Sequence, residues 1–381
     1  MRTPAERRLA ALTAGALLIA TAAIACAGRA APTVPTPPVQ SDTVRDLDDY
    51  PPVANDAPPG ASASAVAMAA ALGRGVNFGN MLEAPTEGAW GVTVTDDIID
   101  KAKAAGFASV RLPVRWSSHA SPTYPFTIDP AFMTRVEVVV DQLLAKGFVV
   151  MLNMHHYRQL DGELPEAGER AVAADALDLR FVMLWEQIAE RFKGRSDRLL
   201  FELYNEPHGR INGAPWNVLA ARALGVVRKT NPTRIVVIGP TGWNNANDLR
   251  LLRMPNDPHL IATIHNYAPF AFTHQGAEWA SPVPPLGVTC CSAAQLAEMV
   301  APLDVAKAWS TTTRYPVYVG EFGAYSKAPE ASRIDFNRKM RDAIEARGMS
   351  WGYWEFAAGF GVYDPTARRF REALLQSLLG A

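Results

Sequence analysis

Two short stretches carry carboxylates in the same local setting. In Leu199-Leu200-Phe201-Glu202-Leu203-Tyr204-Asn205-Glu206-Pro207-His208-Gly209, an apolar run ends in Asn-Glu-Pro. In Pro316-Val317-Tyr318-Val319-Gly320-Glu321-Phe322-Gly323, a second run ends in a Glu. Each pattern presents one carboxylate where a buried strand meets a loop. A pair of such groups can protonate a leaving oxygen and attack or solvate the carbon it leaves, as glycosidic bond cleavage requires.

Glu321 and Glu206 need different protonation states at the same pH, so their surroundings must differ. Arg111 ends another apolar run and Tyr267 follows another. If both point at Glu321, they favour its charged form and make it the nucleophile. Glu206 is then the acid that protonates the leaving group and later the base for water. Asn205 can hydrogen-bond a sugar 2-hydroxyl. His155 can orient sugar hydroxyls or belong to the surroundings of the acid, with His156 as a second contact. Adjacent strand residues point to opposite faces, so these two histidines do not chelate a metal together. His265 lies two residues before Tyr267 and shares its side if the chain is extended. Trp354 offers a flat apolar platform for the sugar at the cleavage point.

The elements that hold these residues follow from hydrophobic patterning. Strand candidates are 75–79, 109–114, 148–154, 199–204, 234–238, 260–264, 317–319 and 351–354. Each is a near-continuous apolar run, as expected of parallel strands covered on both faces. Amphipathic stretches lie between them at 95–105, 132–146, 175–193, 216–229, 293–309, 333–347 and 368–379, with a weaker helix at 248–252. Eightfold strand–helix alternation predicts a single (β/α)8 barrel, a TIM barrel of the α/β class. A doubly wound open sheet is the competitor, disfavoured because no Gly-rich phosphate turn follows the first strand. In a barrel, the site lies at the carboxyl ends of the strands, where Arg111, Asn153, His155, His156, Asn205, Glu206, His265, Tyr267, Glu321 and Trp354 gather.

The 381 residues suffice for one large core, and the net charge of -1 excludes the electrostatic footprint of a nucleic-acid binder. A neutral polymer is the expected partner, with nine Trp and ten Tyr available for stacking on sugar rings. No cofactor or metal is expected, since no Cys/His spacing suggests zinc. Cys290 and Cys291 are either free thiols in a loop or a vicinal disulfide.

Residues 1–26 read as an export signal, with Arg2, Arg7 and Arg8 ahead of the apolar stretch Leu9 to Ala25. Ala23-Ile24-Ala25-Cys26 fits a lipobox that would place a lipid on Cys26, and Ala25-Cys26-Ala27 fits ordinary cleavage. Both readings export the chain, to the periplasm, the cell surface or the medium. Any membrane contact would run through that lipid. Residues 27–67 are rich in Ala, Pro, Ser and Asp and predict an extended tether, leaving 68–381 as the barrel.

From about Gly75 to Leu379, the chain resembles glycoside hydrolase family 5, the cellulase family A. The Leu199–His208 stretch is similar to that family's acid/base signature. Gly79-Asn80-Met81-Leu82-Glu83-Ala84-Pro85, Glu87-Gly88-Ala89-Trp90-Gly91 and Val110-Arg111-Leu112-Pro113-Val114-Arg115-Trp116-Ser117 resemble a bacterial branch of cellulase-mannanases. So do Ile264-His265-Asn266-Tyr267-Ala268-Pro269-Phe270, Phe272-Thr273-His274-Gln275-Gly276-Ala277-Glu278-Trp279 and Tyr353-Trp354-Glu355-Phe356. The resemblance implies Glu206 as acid/base and Glu321 as nucleophile. It further implies substrate contacts from Asn80, Glu83, His155, His156, His274, Trp279, Trp354 and Glu355. Residues 280–294 match no family pattern and are expected to border the cleft.

The activity expected is a retaining endo-β-1,4-glucanase, acting as a monomer on a β-linked polysaccharide. His274 is the residue that could admit mannans. The alternatives are an exo-acting β-glucosidase or β-1,3-glucanase on the same barrel, and a non-catalytic carbohydrate-binding barrel.

Overall fold

A computed structural model describes residues 44–166 and 169–380. The expected signal segment and the lipid site at Cys26 lie outside these residues.

Eight parallel strands close into one barrel: β1 (Arg74–Asn77), β2 (Ser109–Leu112), β3 (Val149–Asn153), β4 (Leu199–Glu202), β5 (Val236–Ile238), β6 (Leu260–His265), β7 (Val317–Phe322) and β8 (Trp351–Tyr353). β1 pairs with β8 to complete the ring. All eight strands overlap the expected runs, with β1 starting one residue earlier and β6 and β7 running on to His265 and Phe322. Long helices follow most of them: Asp96–Ala105, Pro130–Ala145, Leu177–Arg191, Ala214–Thr230, Ala293–Thr313, Glu330–Glu345 and Glu372–Leu379. Their ends obey local chemistry. Thr95 caps the first of these through Ile98 N, and Gly106 closes it in the left-handed region. The weak helix expected at 248–252 is instead a 3-10 turn, Ala246–Arg250. The stretch expected as helix from 368 begins with a short antiparallel pair, Tyr363–Asp364 with Arg369–Phe370.

Side chains alternate between the barrel interior and the helix layer. Val150 and Leu152 join the outer core under the helices. Val149, Met151, Leu200, Val237, Ile261 and Tyr318 form a separate inner cluster with Ala65, Ala69 and Leu72. The latter three belong to a helix, Ala63–Leu72, that plugs the barrel and is capped by Ser62 through Ala65 N.

The tether expected to run to residue 67 therefore ends earlier. Residues 44–62 lie against the barrel as a strap, and Val44 onward forms one compact unit. Tyr50 is 1% exposed, and its hydroxyl donates to Glu186 Oε2 at 3.1 Å. Arg222 Nη1 donates to the Tyr50 carbonyl at 2.7 Å. Val53 N donates to Ala221 O, Asn256 N to Ala54 O, and Ser62 N to Pro258 O. A Pro-rich segment cannot build its own core, but its backbone groups can be satisfied by neighbouring elements.

One irregularity positions the chemistry. Pairing of β6 with β7 runs Ile264 to Val319 and then His265 to Glu321, so Gly320 is an extra residue. This bulge brings Glu321 level with His265. A Cβ on Gly320 would meet Thr263 Oγ1 at 2.8 Å and His265 Nε2 at 3.0 Å, so only glycine permits the approach.

Candidate active site

Alternation within the strands decides what faces the mouth. Leu200 points inward, so Glu202, two residues on, does too. The same spacing carries Ile261 to Thr263 and His265. A polar layer therefore sits above the apolar plug, made of Asn77, Arg111, Glu202 and His265, with Glu321 beside them.

Arg111 organises this layer. Its Nε and Nη2 donate to the two Glu202 oxygens at 2.6 and 3.1 Å. Nη1 donates to Glu321 Oε1 at 2.6 Å and to Asn77 Oδ1 at 2.9 Å, and Nη2 also donates to Asn205 Oδ1 at 2.7 Å. The Tyr267 hydroxyl donates to Glu321 Oε2 at 2.8 Å. Both oxygens of Glu321 are thus held, as the sequence reading required. Arg111 serves two carboxylates rather than one. Glu202 was missed in an apolar run, although a charge inside such a run is itself a signal.

Glu206 sits partly open to the mouth, and its Oε1 lies 2.7 Å from His265 Nδ1. The same nitrogen is 3.6 Å from Glu321 Oε2. Asn244 Nδ2 donates to the Asn205 carbonyl and lies 3.2 Å from His265 Nε2. The first bond fixes the amide orientation, so Nε2 accepts and Nδ1 carries the proton toward Glu206. His265 is therefore the hydrogen-bond partner of Glu206. His155 is not: it is hydrogen-bonded to Asn153 at 3.1 Å and stacks on Trp354 at 5.7 Å. Asn244 escaped the sequence reading because it lies in a loop turn, where Trp243 and Asn244 have φ of 60° and 57°.

Burial raises both carboxyls, and their partners differ. Burial pushes Glu206 up to about 7, against opposing pulls from Arg111, His208 and Asn205. Burial also raises Glu321, but His265, Arg111 and the Tyr267 hydroxyl all favour its charged form. Burial holds His265 down at about 4, so it is neutral and donates one N–H. Tyr267 is raised by burial and by Glu321, so it remains a phenol donor.

Carboxylate oxygens of Glu206 and Glu321 and the Nδ1 of His265 all lie within 4.8 Å of one another. That close approach suits a direct attack by one carboxylate, since an intervening water needs a gap of roughly 6.5–9.5 Å. The three atoms could also ligate a small cation, although Arg111 already neutralises Glu321 from the other side.

The remaining expected contacts divide. Asn80 adopts φ 64° with its N–H held by Glu83. His156, with φ 54°, packs edge-on to His155 at 4.4 Å. Trp354 lies over Gly79, where a Cβ would come within 2.8 Å of its ring. Trp279 is 59% exposed at the rim, and His274 packs between Phe270 and Tyr267 at 4.2 and 4.8 Å.

Glu83 and Glu355 do not open into the cleft, contrary to expectation. Both are fully buried. Glu83 accepts from the backbone of Asn80 and Met81, and Glu355 from Ala357, Ala358 and Phe360. Their oxygens are spent shaping the loops that carry Asn80 and Trp354. Burial raises Glu83 to about 8 and Glu355 to about 7.

Two rim features add to the site. Trp243, 58% exposed, stacks on His208 at 4.5 Å beside Glu206. Cys290 and Cys291 are joined in a disulfide, the second of the two possibilities. Their loop is anchored by Gln275, which accepts from Gly287 N and Val288 N and donates to Val288 O.

Residues 71–359 match the cellulase family, glycosyl hydrolase family 5. Endoglucanase H of Acetivibrio thermocellus is 40% identical over 331 residues, covering 84% of this chain and 34% of that protein. Cellulase/esterase CelE of the same organism is 29% identical over 324 residues, covering 79% of this chain and 37% of that protein. The chain thus spans little more than a third of either curated relative. Among solved structures, Thermotoga maritima Cel5A in complex with cellobiose superposes with a TM-score of 0.78 at 40% identity, covering 82% of this chain and 99% of that one. The same enzyme with mannotriose gives 0.77 at 39%, covering 82% and 99%. A closed barrel, two facing glutamates at the ends of β4 and β7, and a match over most of the length lead to one assignment: this chain belongs to glycosyl hydrolase family 5, the cellulases.

Proposed function

We propose that the protein is a retaining endo-β-1,4-glucanase. The observation that carries this reading is the approach of Glu206 and Glu321 to within 4.8 Å around His265. Glu206 gives its proton to the glycosidic oxygen while Glu321 attacks the anomeric carbon, and the bond to the leaving group breaks. The glycosyl group is then esterified to Glu321. Water, deprotonated by the now ionised Glu206, releases the sugar with its original configuration. Asn205 Oδ1 accepts from Arg111 Nη2, which leaves its amide nitrogen to donate toward Glu206 and the 2-hydroxyl.

The names of the relatives support β-1,4-glucan as substrate, since Endoglucanase H and several further relatives are endoglucanases. A panel of β-glucans with product analysis tests the proposal. Viscosity of soluble cellulose should fall ahead of reducing-sugar release, whereas release of glucose alone from chain ends would refute endo action.

β-Mannan or glucomannan is a second substrate. The support is His274, set against Tyr267 beside the nucleophile, and the solved mannotriose complex of a 39% identical relative. Purified protein that cleaves β-glucan but leaves glucomannan and mannan intact would exclude it.

Export is proposed from the leader pattern at 1–26, with either a lipid on Cys26 or free release. Palmitate labelling of the expressed chain, and its loss in Cys26→Ala, separates the two. A monomer is proposed, and sedimentation of the purified protein checks it.

A further inference from the structure

Trp90 stands apart from the residues used so far. It lies in the loop after β1 and is 39% exposed despite its size. The loop that presents it is tied down by hydrogen bonds. Glu87 accepts from Val94 N at 2.9 Å and from Arg135 at 2.8 Å. Turns close from Ala89 N to Thr86 O and from Gly91 N to Gly88 O. Gly88 and Gly91 have φ of 88° and 85°, which a side chain would oppose. A fixed loop that leaves an indole in solvent spends apolar surface without burying it.

Its neighbours give a direction. Trp354 stacks on His155 at 5.7 Å, His155 meets His156 at 4.4 Å, and His156 lies T-shaped to Trp90 at 5.9 Å. This aromatic line runs outward from the reacting carboxylates, in steps of about one sugar ring. The guanidinium of Arg115 lies 5.4 Å from the Trp90 ring centre. Arg115 is itself buried and held by the Glu83 carbonyl and by Glu166, so it fixes the ring from behind.

The line lies on the side away from the leaving group. Glu206 must face the leaving oxygen, and its flank is built from β4 and β5, with His208 and Trp243. Trp354, His155 and Trp90 lie in the segments that follow β8, β3 and β1. The sugar retained on Glu321 and those beyond it therefore extend toward Trp90.

We propose that Trp90 is the stacking platform for the third sugar on the glycone side, counted from the cleaved bond. Trp354 serves the first sugar and the His155–His156 pair the second. This inference rests on the glucanase reading and adds a binding position to it. Such a platform makes the enzyme favour chains with three or more units on that side.

Aryl β-cellobioside and aryl β-cellotrioside test it, since they fill two and three glycone positions with the same leaving group. In Trp90→Ala, kcat/KM on the cellotrioside should fall about tenfold, mainly through KM. On the cellobioside it should change less than about twofold. Trp90→Phe should restore most of the loss. An equal loss on both substrates would show that Trp90 only supports His156, and no loss on either would show that no sugar reaches it. Both outcomes overturn the proposal. Wild-type protein that released aglycone from neither substrate would refute the glucanase reading itself, a result distinct from both.

Discussion

His265 faces Glu206 with a proton on Nδ1, 2.7 Å from Oε1, because Asn244 fills its Nε2. A neutral imidazole that donates in this way orients Glu206 without taking its proton. The pair supports the division of labour proposed for the two glutamates.

That division gives a pH dependence. The proposed mechanism needs Glu206 protonated and Glu321 ionised. Glu206 is pushed up to about 7, so its proton is retained below that value and lost above it. Activity on unactivated substrates should therefore decline through an apparent pKa near 7 on the alkaline side, read from kcat/KM against pH. An alkaline limb unchanged in a Glu206→Gln background would contradict the assignment.

Removal of the acid should depend on the leaving group. Glu206→Ala is expected to lower kcat on cellulose by roughly 10²–10⁴. Aryl glycosides with acidic phenols leave without a proton and should be spared in the first step. Pre-steady-state bursts with such substrates would show the glycosyl group accumulating, since the second step still lacks its base.

Arg111 is structural and functional at once. Arg111→Met would leave Glu202 buried with no cationic partner and Glu321 without its strongest hold. We expect a loss of about 3–5 kcal/mol in denaturant unfolding, together with loss of activity. Arg111→Lys should not rescue either, because a single ammonium cannot serve both carboxylates.

Four carboxyls that desolvation raises set a stability trend. Glu83, Asp161, Glu206 and Glu355 are raised to about 8, 7, 7 and 7, so the folded chain holds protons that the unfolded chain has released. Between the unfolded carboxylate range and about pH 8, stability should therefore fall as pH rises. Calorimetry at constant ionic strength should show Tm highest near pH 5 and declining toward 8.

The N-terminal strap is testable by truncation. A chain starting at 44 keeps Tyr50 and the plug helix, whereas one starting at 68 loses Tyr50, Ala65 and the helix cap. The shorter form should lose at least about 3 kcal/mol of stability.

Most of the barrel was legible because parallel strands read as apolar runs, and Glu206, Glu321, Arg111 and Tyr267 stand where those runs end. Glu202 was not, since a continuous run hides the alternation that turns it inward. Asn244 was hidden because its place depends on a left-handed turn after β5. Glu83 and Glu355 have the residue type for sugar contact, and only their burial shows that backbone amides claim them. The strap was misread because composition reports whether a segment can form its own core, not whether another core will receive it.

The account turns on which face of the anomeric carbon is attacked. Proton NMR of the first turnover products of a soluble cello-oligosaccharide reports this before mutarotation blurs it. The β-anomer should appear first, as attack by Glu321 followed by water requires; initial release of the α-anomer would contradict the double displacement and the roles given to both glutamates.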